Sequence, residues 1–177
     1  MDWFENDWQK LTRLTFSWAE RMEPFHGYAG IGILDAADRG LAAANEKSLY
    51  ALAQRHPGLE ADYPLQHGLW TKGGIKGSNW LTVLSNGFIE RLGGIEFLTG
   101  NIEPPLQLMR YAGGAIIVAG PRPEVGDRNR GVDTPTYRKI ARLLKPIRIT
   151  FHPAVHGVRG GFDRQAFESW LARFDDE

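Results

Sequence analysis

Three stretches of this sequence hold residue types that can do chemistry. In Ile75–Leu84, "IKGSNWLTVL", Lys76 runs into Gly77-Ser78-Asn79 and then an apolar block headed by Trp80. Such a turn can cradle a phosphate. A P-loop, however, needs its glycine-rich turn to end in Gly-Lys-Ser/Thr at a helix N-terminus. Here the lysine precedes the glycine, and the Walker spacing fails. The three glycine offsets of a dinucleotide fingerprint fail as well. The structural reading is a glycine turn in which the Asn79 side chain bonds to local backbone and delivers Trp80, Leu81, Val83 and Leu84 into a core.

The second stretch is "HPAVHG", with His152 and His156 four residues apart. That spacing binds a metal when it falls on a helix. Pro153 and Gly157 argue against a helix, and no glutamate follows the first histidine as in a zincin. A third ligand has to come from His26, His56 or His67, so loop histidines without metal are the simpler reading. The third stretch is 121–148, with eight Lys/Arg and three Asp/Glu. Arg128 and Arg130 lie in a loop, and Arg138, Lys139, Arg142 and Lys145 on the helix after it. A nucleic-acid contact is one reading; the solvated face of a helix is the other, and a pI near 7 favours it. The serines (Ser17, Ser48, Ser78, Ser85, Ser169) stand in no Gly-x-Ser-x-Gly elbow, and there is no cysteine nucleophile. Catalysis has no positive support.

A chain of 177 residues, 42% hydrophobic and 24% charged, suits one soluble domain over 1–177 with a sizeable core. Zero cysteines exclude disulfides and zinc thiolates. No apolar run is long enough to span a bilayer, and "MDWFENDWQK" lacks the pattern of a signal peptide, which points to the cytoplasm. Net charge is zero but unevenly spread: residues 1–62 carry −4 and residues 121–148 carry +5. The acidic third is able to cover a basic partner.

Periodicity predicts a helix over 4–22, with Trp8, Leu11, Thr15, Trp18 and Met22 on its buried face. A buried strand follows over 28–35, then a helix over 46–56 with Leu49, Leu52 and Ala53 inward, and a loop over 57–74. Asn86 caps a short helix over 86–94. Residues 105–120 form a β-hairpin, and 120–135 a long polar loop. Thr134 caps a helix with Pro135 at its first position, burying Tyr137, Ile140, Ala141 and Leu144. Residues 147–151 read as a strand. Asp163 caps a last helix carrying Phe167, Trp170, Leu171 and Phe174. The expected class is α+β: a mostly antiparallel sheet with helices packed on it.

The blocks "HGYAGIGIL", "YALAQRHPGLEAD", "GGIKGSNWLTVLSNGFIERLGG" and "GGAIIVAGPRPEVGDRNRGVDTPTYRKIARLLKPIRI" carry a resemblance. Over residues 25–150 the chain resembles the type VI secretion immunity family of bacteria; the IKGSNWLT and AGPRPEVGD blocks are its specific parts. Members often carry further strand-forming sequence ahead of the first helix. This chain starts close to that helix, which implies a short or truncated member and a sheet without one edge strand. The resemblance implies a non-enzymatic protein that binds a cognate toxin, with no cofactor, no metal, no membrane and no direct nucleic-acid contact, as a monomer or homodimer. A cytoplasmic inhibitor fits a cytoplasm-acting toxin such as a nuclease, whose groove for phosphates is basic. Acidic residues in or beside loops are then the candidate toxin-binding groups: Asp35, Asp38, Glu60 and Asp62 in the N-terminal third, and Glu124, Asp127 and Asp133 in the long loop. The bland alternative for Asp127 and Asp133 is that they close turns. The rival functions are a metal-assisted hydrolase using His152 and His156, and a nucleic-acid-binding regulator using 121–148.

Overall fold

A computed structural model describes residues 7–34, 39–62, 71, 73–150 and 161–175, with backbone alone at 34, 39–43 and 62. Helix α1 (Trp8–Met22) begins where the Asp7 carboxylate accepts a hydrogen bond from Lys10 N at 3.2 Å, filling one of the unpaired donors of a helix start. Trp8 packs edge-on against Trp80 and Phe16 against Tyr111, with Thr15 and Ala19 buried between. These contacts set the buried face. They turn Leu14, Trp18 and Met22 one step round the helix, so Trp18 and Met22, expected inside, are 57% and 74% exposed.

The expected strand over 28–35 is two strands. His26–Ala29 (β1) joins the main sheet and Gly32–Leu34 (β2) a second one. The break falls at Gly30, where a Cβ would lie 2.0 Å from the Asn79 side-chain oxygen, so only glycine lets the two segments approach. Helix α2 (Arg39–Arg55) starts earlier than expected. Its Leu49 and Ala53 are buried, but Leu52 is exposed. The expected loop after it contains β3 (Glu60–Asp62), parallel to β2.

The main sheet has the order β1-β4-β6-β5, antiparallel throughout. Strand β4 (Leu81–Ser85) leads directly into α3 (Asn86–Arg91), whose cap position is Ser85 rather than Asn86. The Asn86 side chain instead donates to Ala112 O at the hairpin turn. Helix α4 (Ile95–Asn101) has no counterpart in the periodicity reading. The hairpin forms as expected, β5 (Gln107–Tyr111) with β6 (Gly114–Val118). Helix α1 lies against β5, and α3 against β4 and β6, so the central strands are covered and read as near-continuous apolar runs. Helix α5 (Pro135–Leu144) buries Tyr137, Ile140, Ala141 and Leu144 as expected. The expected strand over 147–151 is a 3-10 turn, Lys145–Ile147, built around Pro146, followed by a single parallel bridge between Arg148 and Ile75; residue 151 lies outside the described residues. In α6 (Arg164–Leu171) the Asp163 carboxylate accepts from Ala166 N at 2.9 Å, and Phe167, Trp170 and Leu171 are buried.

The core has two parts. The larger surrounds the sheet and includes Trp80, 1% exposed, and Leu81, Val83 and Leu84. The smaller joins α2, β3 and α6 through Leu49, Ala61, Phe162, Phe167 and Trp170. Between them lies a buried ion cluster. Glu60 pairs with Lys76 and, at 3.5 Å, with Arg173, and Asn79 Nδ2 reaches the same carboxylate at 3.4 Å. Lys76 Nζ also donates to Ala61 O at 2.6 Å, and Arg173 Nε to Pro57 O at 2.8 Å. The Arg173 guanidinium stacks 3.6 Å over the Trp170 ring. Burial pulls the Arg173 pKa down to about 10. Glu60→Gln removes the carboxylate that faces both buried cations. The expected cost is about 3–5 kcal/mol of unfolding free energy, read by urea denaturation; a wild-type midpoint would show that the cluster is not needed.

Candidate partner-binding surface

The acidic residues expected to face a partner have different fates. Asp35 and Asp38 lie outside the described residues, and Asp62 is described by backbone alone, in β3. Glu60, expected beside a loop, is 6% exposed and committed to Lys76 and Arg173. It faces inward because β3 puts it against the lysine of the IKGSNW block, and it is not a surface acid.

The long loop after β6 shows the same inversion. Glu124 is half-buried; its carboxylate accepts a hydrogen bond from Thr136 N at 3.2 Å, and its own N–H donates to the Tyr137 hydroxyl at 3.3 Å. It thus caps α5. Thr134, expected as the cap, makes no side-chain cap bond and is buried. Burial raises the Tyr137 hydroxyl pKa well above its usual value. Asp127 is buried and accepts two hydrogen bonds from Arg55, Nε at 3.1 Å and Nη2 at 2.7 Å, a bidentate pair that joins the loop to the end of α2. Its Oδ1 also accepts from Asn129 N at 3.0 Å. Asp133 is exposed and paired with Arg138 at 3.0 Å.

Two more contacts tie the loop to the segment that follows α2. His56 Nδ1 lies 2.7 Å from Gly126 O, and Gly58 N donates to Val125 O at 2.9 Å. Gly58 has to be glycine, since a Cβ there would sit 1.8 Å from Glu124 O. Beyond Asp127 the chain closes on itself. Asp127 and Val132 exchange backbone hydrogen bonds at 2.9 and 3.0 Å around a 3-10 turn at Arg128–Arg130. With both ends fixed, the outward residues are Arg128, Asn129, Arg130 and Val132, beside exposed Leu52 of α2. An open cleft of about 480 Å³ runs between Leu52, Arg55, Arg128 and Asn129.

The histidines proposed as metal ligands do not assemble among the described residues. His26 packs edge-on against Phe88 in β1, His56 serves the loop, and His67, His152 and His156 lie outside the described residues. Among the described residues no group of three His, Asp or Glu side chains is placed to hold a metal. Of the basic segment, Lys145 and Arg148 meet Asp175, Arg148 at 2.6 and 2.5 Å, and Arg138 meets Asp133.

The described residues form an α+β scaffold whose side chains and backbone hold a polar surface loop in place. The family model "Type VI immunity for VRR-NUC" matches residues 1–174, and the chain belongs to this family. Among solved structures it is similar to a T6SS protein of Pseudomonas aeruginosa, with 27% sequence identity and a TM-score of 0.85 over 98% of this chain. The chain spans half the length of that protein's chain. A search of curated protein sequences finds no match. No described helix is long and apolar enough to cross a membrane.

The Arg55 hydrogen bonds hold the Asp127 carboxyl down at about 2, from its usual 3.8. A carboxyl depressed in the folded state contributes stability that is present above the usual pKa and lost as pH falls through the folded one. Asp127→Asn therefore melts below wild type at pH 7, and the gap closes as pH falls from about 4 to about 2. Thermal melts across that range check this; a gap independent of pH would show that the pair contributes nothing through its charge.

Proposed function

We propose that this protein is a cytoplasmic immunity protein that neutralises a VRR-NUC nuclease toxin of a type VI secretion system. It binds the nuclease in a fixed ratio and occludes its active-site region. The observation that carries this reading is the family match over residues 1–174. The rigid loop joined to α2 supports it, because a partner surface held in place before binding costs less to order on binding.

The contact need not mimic nucleic acid. Of the acids first considered for that role, Glu60 is buried, and Glu124 and Asp127 are spent on holding the loop. Asp133 remains exposed on the described surface, and Asp35 and Asp38 are open to test by mutation.

Co-expression with a cognate VRR-NUC toxin is expected to restore growth, and the two proteins to co-purify in constant ratio. Protection against a catalytic toxin calls for a nanomolar Kd or tighter, about −12 kcal/mol. Undiminished toxicity with soluble protein in excess would overturn the function.

A further inference from the structure

The loop after β6 carries three acids and three arginines between residues 121 and 133. The fold sorts them by direction. Asp127 turns in to Arg55 and Glu124 to the start of α5, Asp133 is exposed but paired with Arg138, and Arg122, Arg128 and Arg130 are exposed. Among the described residues no carboxylate pairs with Arg122 or Arg128, and Arg130 meets Asp127 only loosely, at 3.8 Å, with 78% of its side chain exposed. Exposed Leu52 shares a cleft with Arg128, and exposed Val132 closes the turn that carries Arg128 and Arg130.

Rigid backbone, arginine and adjacent apolar surface are the features of a protein-binding patch. The sign of its charge says where on a nuclease it fits. A groove that binds phosphate backbones is itself basic. Placing Arg128 and Arg130 there sets like charges together, which costs affinity.

Building on the toxin-binding reading above, we propose that Arg128 and Arg130, with Leu52 and Val132, dock on a carboxylate-rich rim of the nuclease's active-site region, beside its phosphate-binding groove rather than in it. Arginine suits this contact because its planar fork pairs with a carboxylate through two hydrogen bonds.

The test is the Kd for catalytically inactivated VRR-NUC toxin, measured with wild type, Arg128→Ser/Arg130→Ser and Arg128→Glu/Arg130→Glu, with a thermal melt of each. The expected losses are about tenfold for the serine pair and about 100-fold for the glutamate pair, since one removes the attraction and the other reverses it. If the glutamate pair melts early, the serine pair decides. Wild-type protein alone is expected to show no binding to duplex DNA. Unchanged affinity in the variants, tighter binding by the glutamate pair, or direct binding of wild type to the DNA with similar affinity would each overturn the proposal. A tight wild-type complex indifferent to both variants removes this docking surface and leaves the toxin reading intact, whereas no wild-type complex at all removes both.

Discussion

One buried carboxylate, Glu60, joins the two halves of the core. It stands between Lys76, from the segment that leads into β4, and Arg173, from the end of α6, and all three are almost wholly shielded from water. Burying a charge is costly unless it is compensated. The compensation is visible. Carbonyls of Ala61, Pro57 and Trp170 accept from the two cations, and the Trp170 ring lies against both. Each partner comes from a different part of the chain, so the cluster forms only when β3, the IKGSNW segment and α6 are all in place. Tryptophan and arginine thus hold the smaller core onto the sheet.

The same economy of charge governs the surface loop. Two of its three acids are consumed in fixing the loop: Asp127 on Arg55 and on the 3-10 turn, Glu124 on the first turn of α5, while Asp133 stays exposed beside Arg138. Tyr137 adds a second link, since its carbonyl accepts from Ser78 Oγ while its hydroxyl accepts from Glu124 N–H. The loop is therefore coupled to the turn ahead of Trp80 through one buried tyrosine. What it shows to a partner is basic and partly apolar, the opposite of its appearance as a segment holding Glu124, Asp127 and Asp133.

Local signals were legible in the sequence. Asn79 does bond to the next backbone N–H, at 2.8 Å, and Trp80 is delivered into the core; Asp163 caps its helix; Tyr137, Ile140, Ala141 and Leu144 form the buried face of α5. The α+β class with an antiparallel main sheet followed from these elements. Direction was not legible. A lone Lys76 and a Glu60 sixteen positions earlier look like any exposed pair until β3 brings them together. The face of α1 is a matter of tens of degrees of helix rotation, decided by Trp80 and Tyr111 from elsewhere in the chain. The run at 147–151 has strand composition, but only Ile75 offers its backbone a bridge among the described residues. The acids of the long loop could be counted, but the Arg55 that turns Asp127 inward lies 72 residues away.

The most direct measurement is amide hydrogen exchange of this protein, alone and bound to inactivated VRR-NUC toxin. In the free protein the Asp127–Val132 turn is already hydrogen-bonded, so its amides exchange more slowly than those of an open loop. Complex formation is expected to slow exchange further at residues 128–132 and at the end of α2 around Leu52 and Arg55. Protection confined to other surfaces, with 128–132 unchanged on binding, would contradict the assignment of this loop as the face that meets the nuclease.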